Sequence, residues 1–377
     1  MRRSVWIFVA AVAVLAAHPA GAAAGIEFAP AANYPTGSTI GPGPGAVTTE
    51  AGDLDGDGDV DVVITDWFGS APIVMHNDGT GAFGSPTRLP AGSGVLALAV
   101  GDLDADGRLD IVGRAGAEVI VWLGRPGGTF QVADREPGFQ GAQPAVAVFD
   151  ANLDDQLDVA TTTPAGVQVL LGHGDGTVTA GPTTPALGLL SDLTPANFDG
   201  DGIPDLALVD ATPLLQRIVS LRGNGDGSFT VAGSGAVGYG PEGVMAGDLD
   251  GDGIDDAVSV DSFSALNTLS SFFITVLLSD GAGGFEPPVH YPTASGPVSG
   301  ALADFDGDGD LDVAVSGVGD GRVAVYANDG GGQLTDAGRL PVTSFPQTPA
   351  AADYDGDARV DLAVPGASAL SVLRNIS

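Results

Sequence analysis

The sequence predicts an all-β protein: a seven-bladed β-propeller with four antiparallel strands in each blade. Three observations predict it. A nine-residue acidic frame, D-x-D-x-D-G-x-x-D or a close variant, recurs seven times, at 53–61, 102–110, 150–158, 197–205, 248–256, 304–312 and 353–361. The steps between frames are 49, 48, 47, 51, 56 and 49 residues, a spacing that suits four short strands repeated radially. The last unit stops one strand short, and the beginning of the chain carries a strand that would complete it.

The N-terminus reads as an export signal. Arg2 and Arg3 precede an apolar run from Val5 to Ala17, and small residues with an Ala-x-Ala-like site near Ala22 or Ala24 follow. That is the layout of a signal peptide over residues 1–24. The run is shorter than the roughly 20 residues a membrane span needs, although retention as an anchor stays open. The expected mature chain is 25–377, secreted or periplasmic, with 11 Arg against 48 acids and a net charge of −37.

Each unit then reads alike. An apolar segment leads into the acidic frame, as in Val95–Gly101 or Gly243–Gly247. A short β-branched run follows it: Val62–Ile64, Val313–Val315, Leu362–Val364. A second run ends in a Gly-Asp-Gly type of turn, as after Val169 or Val276, and a polar strand such as Phe285–Thr293 closes the unit. Turn residues between short β-rich runs are a hairpin signal. The seventh unit ends at its third strand, and Phe28–Thr36 parallels Phe285–Thr293 in register. Residues 25–36 are therefore expected to complete the last blade and remove two open sheet edges.

The frames have the donors of an oxygen cage for a hard cation. Side chains at positions 1, 3 and 5, a carbonyl at 7 and a carboxylate at 9 suit calcium, which takes six to eight oxygens at about 2.3–2.6 Å. The expected ligands are Asp53, Asp55, Asp57, Asp59 and Asp61; Asp102, Asp104, Asp106, Arg108 and Asp110; Asp150, Asn152, Asp154, Gln156 and Asp158; and Asn197, Asp199, Asp201, Ile203 and Asp205. The last three blades offer Asp248, Asp250, Asp252, Ile254 and Asp256; Asp304, Asp306, Asp308, Asp310 and Asp312; and Asp353, Asp355, Asp357, Arg359 and Asp361. Residues at position 7 contribute their carbonyl. Position 12, acidic in an EF-hand, is acidic in none of the seven. Two carboxylates about 4 Å apart repel by roughly 4 kcal/mol at an effective dielectric near 20, so a closed cage calls for an ion, up to seven in all. Position 6 needs a left-handed turn and is Gly except at Asp155 and Ala358. Loop seven is expected to be weakest, and loops one, two, five and six strongest.

At these residues the chain resembles the FG-GAP/VCBS repeat family, relatives of the integrin α-chain head, over all seven units. Trp67–Pro72 is the nearest echo of the family's Phe-Gly and Gly-Ala-Pro signatures. The resemblance implies a calcium loop between the first two strands of each blade, opposite the usual ligand face. The family includes lectins and the propeller portions of sugar-processing enzymes.

Composition narrows the chemistry. The chain has no Cys, and all 13 of its basic residues are Arg. This excludes disulfides, thiolate metal sites and Lys chemistry, and it argues against nucleic acid as a partner. The expected role is an extracellular binding or adhesion scaffold, a monomer with structural calcium and a carbohydrate or protein ligand. Ligand contacts are expected from Trp67 and Phe68 and from Phe263 and Asn267 in the blade-five insertion, with Phe139, Gln140, Gln143, Tyr239, Glu242, Phe345 and Gln347 as further candidates. A polysaccharide-degrading enzyme is the alternative, with Asp66, Asp210, Glu242 and Asp261 as the acids left on that face. His76 and His173 are expected in turns on the calcium face, away from any shared cleft.

Overall fold

The inner strand of each blade leads into its acidic frame, and that placement organises the molecule. The computed structural model describes residues 25–37, 48–65, 71–90, 92, 94–137, 144–185, 188–263, 272–293 and 295–377; for Phe263 it describes the backbone alone. Seven four-stranded antiparallel sheets result. Blade two shows the plan. Its inner strand Val95–Gly101 pairs with Asp110–Ala115, that strand with Glu118–Arg125, and that with the outer strand Thr129–Pro137. The inner pair is buried on both faces and therefore reads as a continuous apolar run. The outer strand alternates exposed and half-buried residues and carries Asp134, Arg135 and Glu136, which blunt a free edge.

The ring closes through its two ends. Ala32–Pro35 pairs antiparallel with Ala369–Leu373 and becomes the outer strand of the blade that begins with Ala350–Ala352. The equivalence with blade five extends to side chains. Asn33 Oδ1 accepts a hydrogen bond from Ser371 Oγ at 2.8 Å, and His290 Nδ1 meets Thr275 Oγ1 at 2.9 Å at the matching register.

The core lies between blades. Seven apolar clusters fill the seven interfaces, one of them joining Val62, Ile64, Ile73 and Met75 of blade one to Tyr354, Ala363, Leu370 and Val372 of blade seven. Side chains also tie neighbours together. Asn77, Asn328 and Asn375 each donate through Nδ2 to a carbonyl at the second frame position of the preceding blade, those of Tyr354, Leu249 and Phe305, at 2.7–2.8 Å. Ser279 Oγ makes the same link to Phe198 at 2.8 Å.

Candidate metal centres and the central channel

Each frame connects the inner strand to the second strand and is built from side-chain-to-backbone hydrogen bonds. In blade one, Asp53 accepts from the N–H groups of Gly56 at 2.7 Å and Gly58 at 3.0 Å. Asp55 Oδ1 accepts from Asp57 N, and Asp57 Oδ1 from Asp59 N. Asp61 closes the loop by accepting from Leu54 N at 3.1 Å and Asn77 N at 2.8 Å. The closing carboxylate makes the same two bonds in every other blade, for example Asp312 with the N–H groups of Phe305 and Asn328. Position 7 donates its N–H to the position-5 carboxylate in all seven loops, which leaves the carbonyl for another partner.

Carboxylate oxygens converge as a result. Asp53, Asp55 and Asp57 bring one oxygen each within 4.8 Å of one another, as do Asp102, Asp104 and Asp110, Asp248, Asp250 and Asp252, and Asp304, Asp306 and Asp308. Burial and the neighbouring acids together push closing carboxylates up: Asp110, Asp158, Asp205 and Asp361 to about 6, Asp256 to about 7 and Asp312 to about 8. Three frame oxygens are shielded from solvent and have no hydrogen-bond partner: Asp104 Oδ1, Asn197 Oδ1 and Asp355 Oδ1.

The sequence reading did not see the cations that intrude on some frames. Arg125 reaches Asp104 at 3.5 Å, Arg222 reaches Asp199 at 4.0 Å and Arg374 reaches Asp355 at 3.8 Å. Arg108 and Arg359 pair with Asp106 and Asp357 inside their own loops. His76 does stand on the loop face, but in contact with the blade-one frame: its Nδ1 lies 2.9 Å from Asp61 and 3.6 Å from Asp55. The Asp61 hydrogen bond raises its affinity for a proton, against the opposing effect of burial. Six other blades carry Leu, Arg or Ala at the equivalent place, so only comparison of the repeats would have flagged it. Loops three, five and six have no such cation among the described residues.

A cavity of about 1270 Å³ follows the axis, lined by the inner strands and opening among the acidic loops. Two carboxylates inside it were missed in the sequence. Burial, with Asp192's charge added, pushes Glu50 up to about 8. Burial pushes Asp192 up to about 7, partly offset by the N–H groups of Val244 at 3.0 Å and Leu193 at 2.9 Å.

The opposite face differs from expectation. Asp261 lies inside the second strand of blade five, not on a free loop, and is buried where Ser259, Thr275 and the Gly238 N–H hydrogen-bond it. Asp210 is buried and accepts from Arg217 Nε at 3.0 Å. Burial of both carboxylates follows from the strand pairing, which carries them inward. Glu242 lines the channel and accepts from Ser262 at 2.9 Å. Gln347 is buried, whereas Tyr239 and Phe345 are exposed. Phe263 ends its strand opposite Tyr239. Trp67, Phe68 and Asn267, with Asp66, Phe139, Gln140 and Gln143, lie outside the described residues.

Fold and frames together define a β-propeller with an acidic loop at the same place in each blade. The chain belongs to the FG-GAP-like repeat family, whose model matches residues 53–113, 197–259, 261–315 and 304–364. No curated protein matches the chain. Among solved structures it is similar to an Agrocybe aegerita lectin described for specific recognition of non-reducing terminal N-acetylglucosamine, at 18% identity and TM-score 0.53, covering 78% of this chain and 80% of that one. It is also similar to BBS1N crystallised in complex with ARL6DN and soaked with lead, at 12% identity and TM-score 0.61, covering 92% and 96%. The mercury-soaked crystal of that complex gives 13% and 0.60 with the same coverage. At these identities the likeness is one of fold.

Proposed function

We propose that the protein is an exported calcium-binding scaffold whose ions brace the propeller and whose face opposite the acidic loops binds an extracellular carbohydrate or protein. The propeller fold itself is a binding scaffold, a rigid ring that presents variable loops. The observation that carries the calcium reading is the set of orphaned frame oxygens, Asp104 Oδ1, Asn197 Oδ1 and Asp355 Oδ1. A buried acceptor without a donor costs about 1–3 kcal/mol, and a hard cation satisfies acceptors that no N–H reaches. The donors fit: positions 1, 3, 5 and 9 supply side-chain oxygens in hydrogen-bonded, preset orientations, and oxygen-only sets suit calcium. Calcium would supply positive charge to frames whose acids outnumber the cations near them. A similar lectin and a similar protein-binding propeller leave both ligand classes in play. Burial of Asp210 and Asp261 against structural partners favours binding over carboxylate catalysis. Export rests on Arg2, Arg3 and the apolar run that follows.

Thermal unfolding of the mature chain with calcium and with chelator tests the reading. Each site filled at a hundredfold excess over its Kd adds about 2.7 kcal/mol, so the midpoint should fall steeply in chelator and recover with calcium more than with magnesium. An unchanged midpoint and a metal count of zero would end the calcium proposal. In calorimetric titration, loops five and six should fill first, since no cation intrudes on them and each has Asp at positions 1, 3, 5 and 9, where loop three has Asn152 at position 3; Asp250→Ala should weaken filling more than Asp355→Ala.

A further inference from the structure

The channel carboxylates have no part in the calcium frames. Inner strands run toward their acidic loops, so the offset from the loop sets depth. Glu50 lies three residues before Asp53 and Asp192 five before Asn197, which places them roughly 10 and 17 Å below the loop starts at about 3.3 Å per residue. At those two depths the other inner strands carry neutral residues, mostly Ala, Gly, Ser and Thr. Blades one and four stand across the ring from each other, and both carboxylates line the same cavity, where their charges repel. No hydrogen bond among the described residues relieves Glu50. A second observation points to a missing donor. Thr49, 4% exposed, is a wall residue of the cavity, and its shielded hydroxyl has no partner; the hydroxyl of Ser191, beside Asp192, is likewise shielded and unpartnered.

The wall selects the occupant. Its only basic side chain among the described residues is Arg359, which belongs to the seventh acidic loop. An anion would be repelled, whereas a cation would offset the burial that otherwise holds Glu50 and Asp192 in their protonated forms. A bare ion is far too small for about 1270 Å³ with Leu98, Met245 and Leu302 in its wall, a volume above the roughly 300–1,000 Å³ of ordinary ligand pockets. We propose that the central channel binds an organic cation, an alkylammonium or alkylguanidinium, with its head between Glu50 and Asp192 and its apolar body along the channel. The head gains charge-assisted hydrogen bonds to two half-buried carboxylates.

The experiment is isothermal titration of the calcium-saturated mature chain with n-butylguanidinium and with n-butylurea, its uncharged analogue of similar shape. Calcium keeps the frames occupied, so weak binding to empty loops does not contribute. Expected is saturable binding of butylguanidinium at a single site, weakened about tenfold or more by Glu50→Gln and by Asp192→Asn, as loss of a charged hydrogen bond requires, with no binding of butylurea. Glu50→Gln also removes a repulsion, so its unfolding midpoint should equal or exceed that of the parent. No saturable binding, equal binding by Glu50→Gln, equal binding of butylurea, or a lowered midpoint in Glu50→Gln would each overturn the proposal.

Discussion

Backbone strain in the acidic frames falls on a few residues. Positions 4 and 6 take positive φ in all seven loops, and most are Gly; the exceptions are Ala105 at 56°, Leu153 at 62°, Asp155 at 66° and Ala358 at 69°. Blade three has two of the four. A left-handed conformation costs an L-residue about 1–2 kcal/mol, less for Asp, while glycine gives back part of that through its freer unfolded chain. Leu153 is also exposed, so little packing is lost with its side chain. Leu153→Gly is therefore expected to stabilise the chain by about 0.5–1 kcal/mol, read as a higher urea midpoint at unchanged slope. A lowered midpoint would show that the leucine contributes through packing on its neighbours.

Among elements, the closing strand has the widest reach. Ala32–Pro35 caps the third strand of blade seven, and the segment enters two blade interfaces: Phe28, just before the strand, meets Phe305 edge-on at 5.8 Å, and Tyr34, within it, meets Phe83 at 5.7 Å. Phe28 and Tyr34 are half-buried, so each contributes part of the roughly 1.5–3 kcal/mol of a fully buried side chain. Removing residues 25–36 also bares a strand edge that invites pairing between chains. The shortened protein should unfold at clearly lower urea and associate with rising concentration in size-exclusion chromatography. A monomer with the parent's midpoint would mean that the ring holds without its clasp.

For the whole molecule, charge decides behaviour. The chain carries 48 acids against 13 Arg, and the native fold raises closing carboxylates to about 6–8, with Glu50 and Asp192 at about 8 and 7. The unfolded chain titrates them near 4. Between about pH 4 and 8 the native state thus binds more protons than the unfolded one, and its stability falls as pH rises. In chelator the unfolding midpoint should be lower at pH 8 than at pH 5. Calcium should shrink that difference, because a bound divalent ion holds the frame carboxylates ionised at no such cost, and the remainder belongs to the channel pair. A midpoint in chelator that climbs from pH 5 to pH 8 would contradict the burial of these groups.

Much of this architecture was legible in the residues because it is local and repeated. Val95–Gly101 is the inner strand of blade two to the residue, the frames sit where strand gives way to strand, and Phe28–Thr36 closes the ring as its likeness to Phe285–Thr293 requires. Chain-local chemistry suffices there: alternation of apolar runs and Asx turns fixes strands and loops, and a period of about 50 residues fixes the blade. Tertiary structure decided what depends on strand register and on which blades share the channel. Strand pairing within a blade drew His76 to Asp61, laid Arg125, Arg222 and Arg374 over their own blades' frames and buried Asp210 and Asp261, while closure of the ring set Glu50 and Asp192 in one channel. Glu50 and Asp192 are 142 residues apart, and only the closing of the ring brings those two charges close enough for burial and Coulomb forces to act between them; the other pairs needed only the register of strands within a blade.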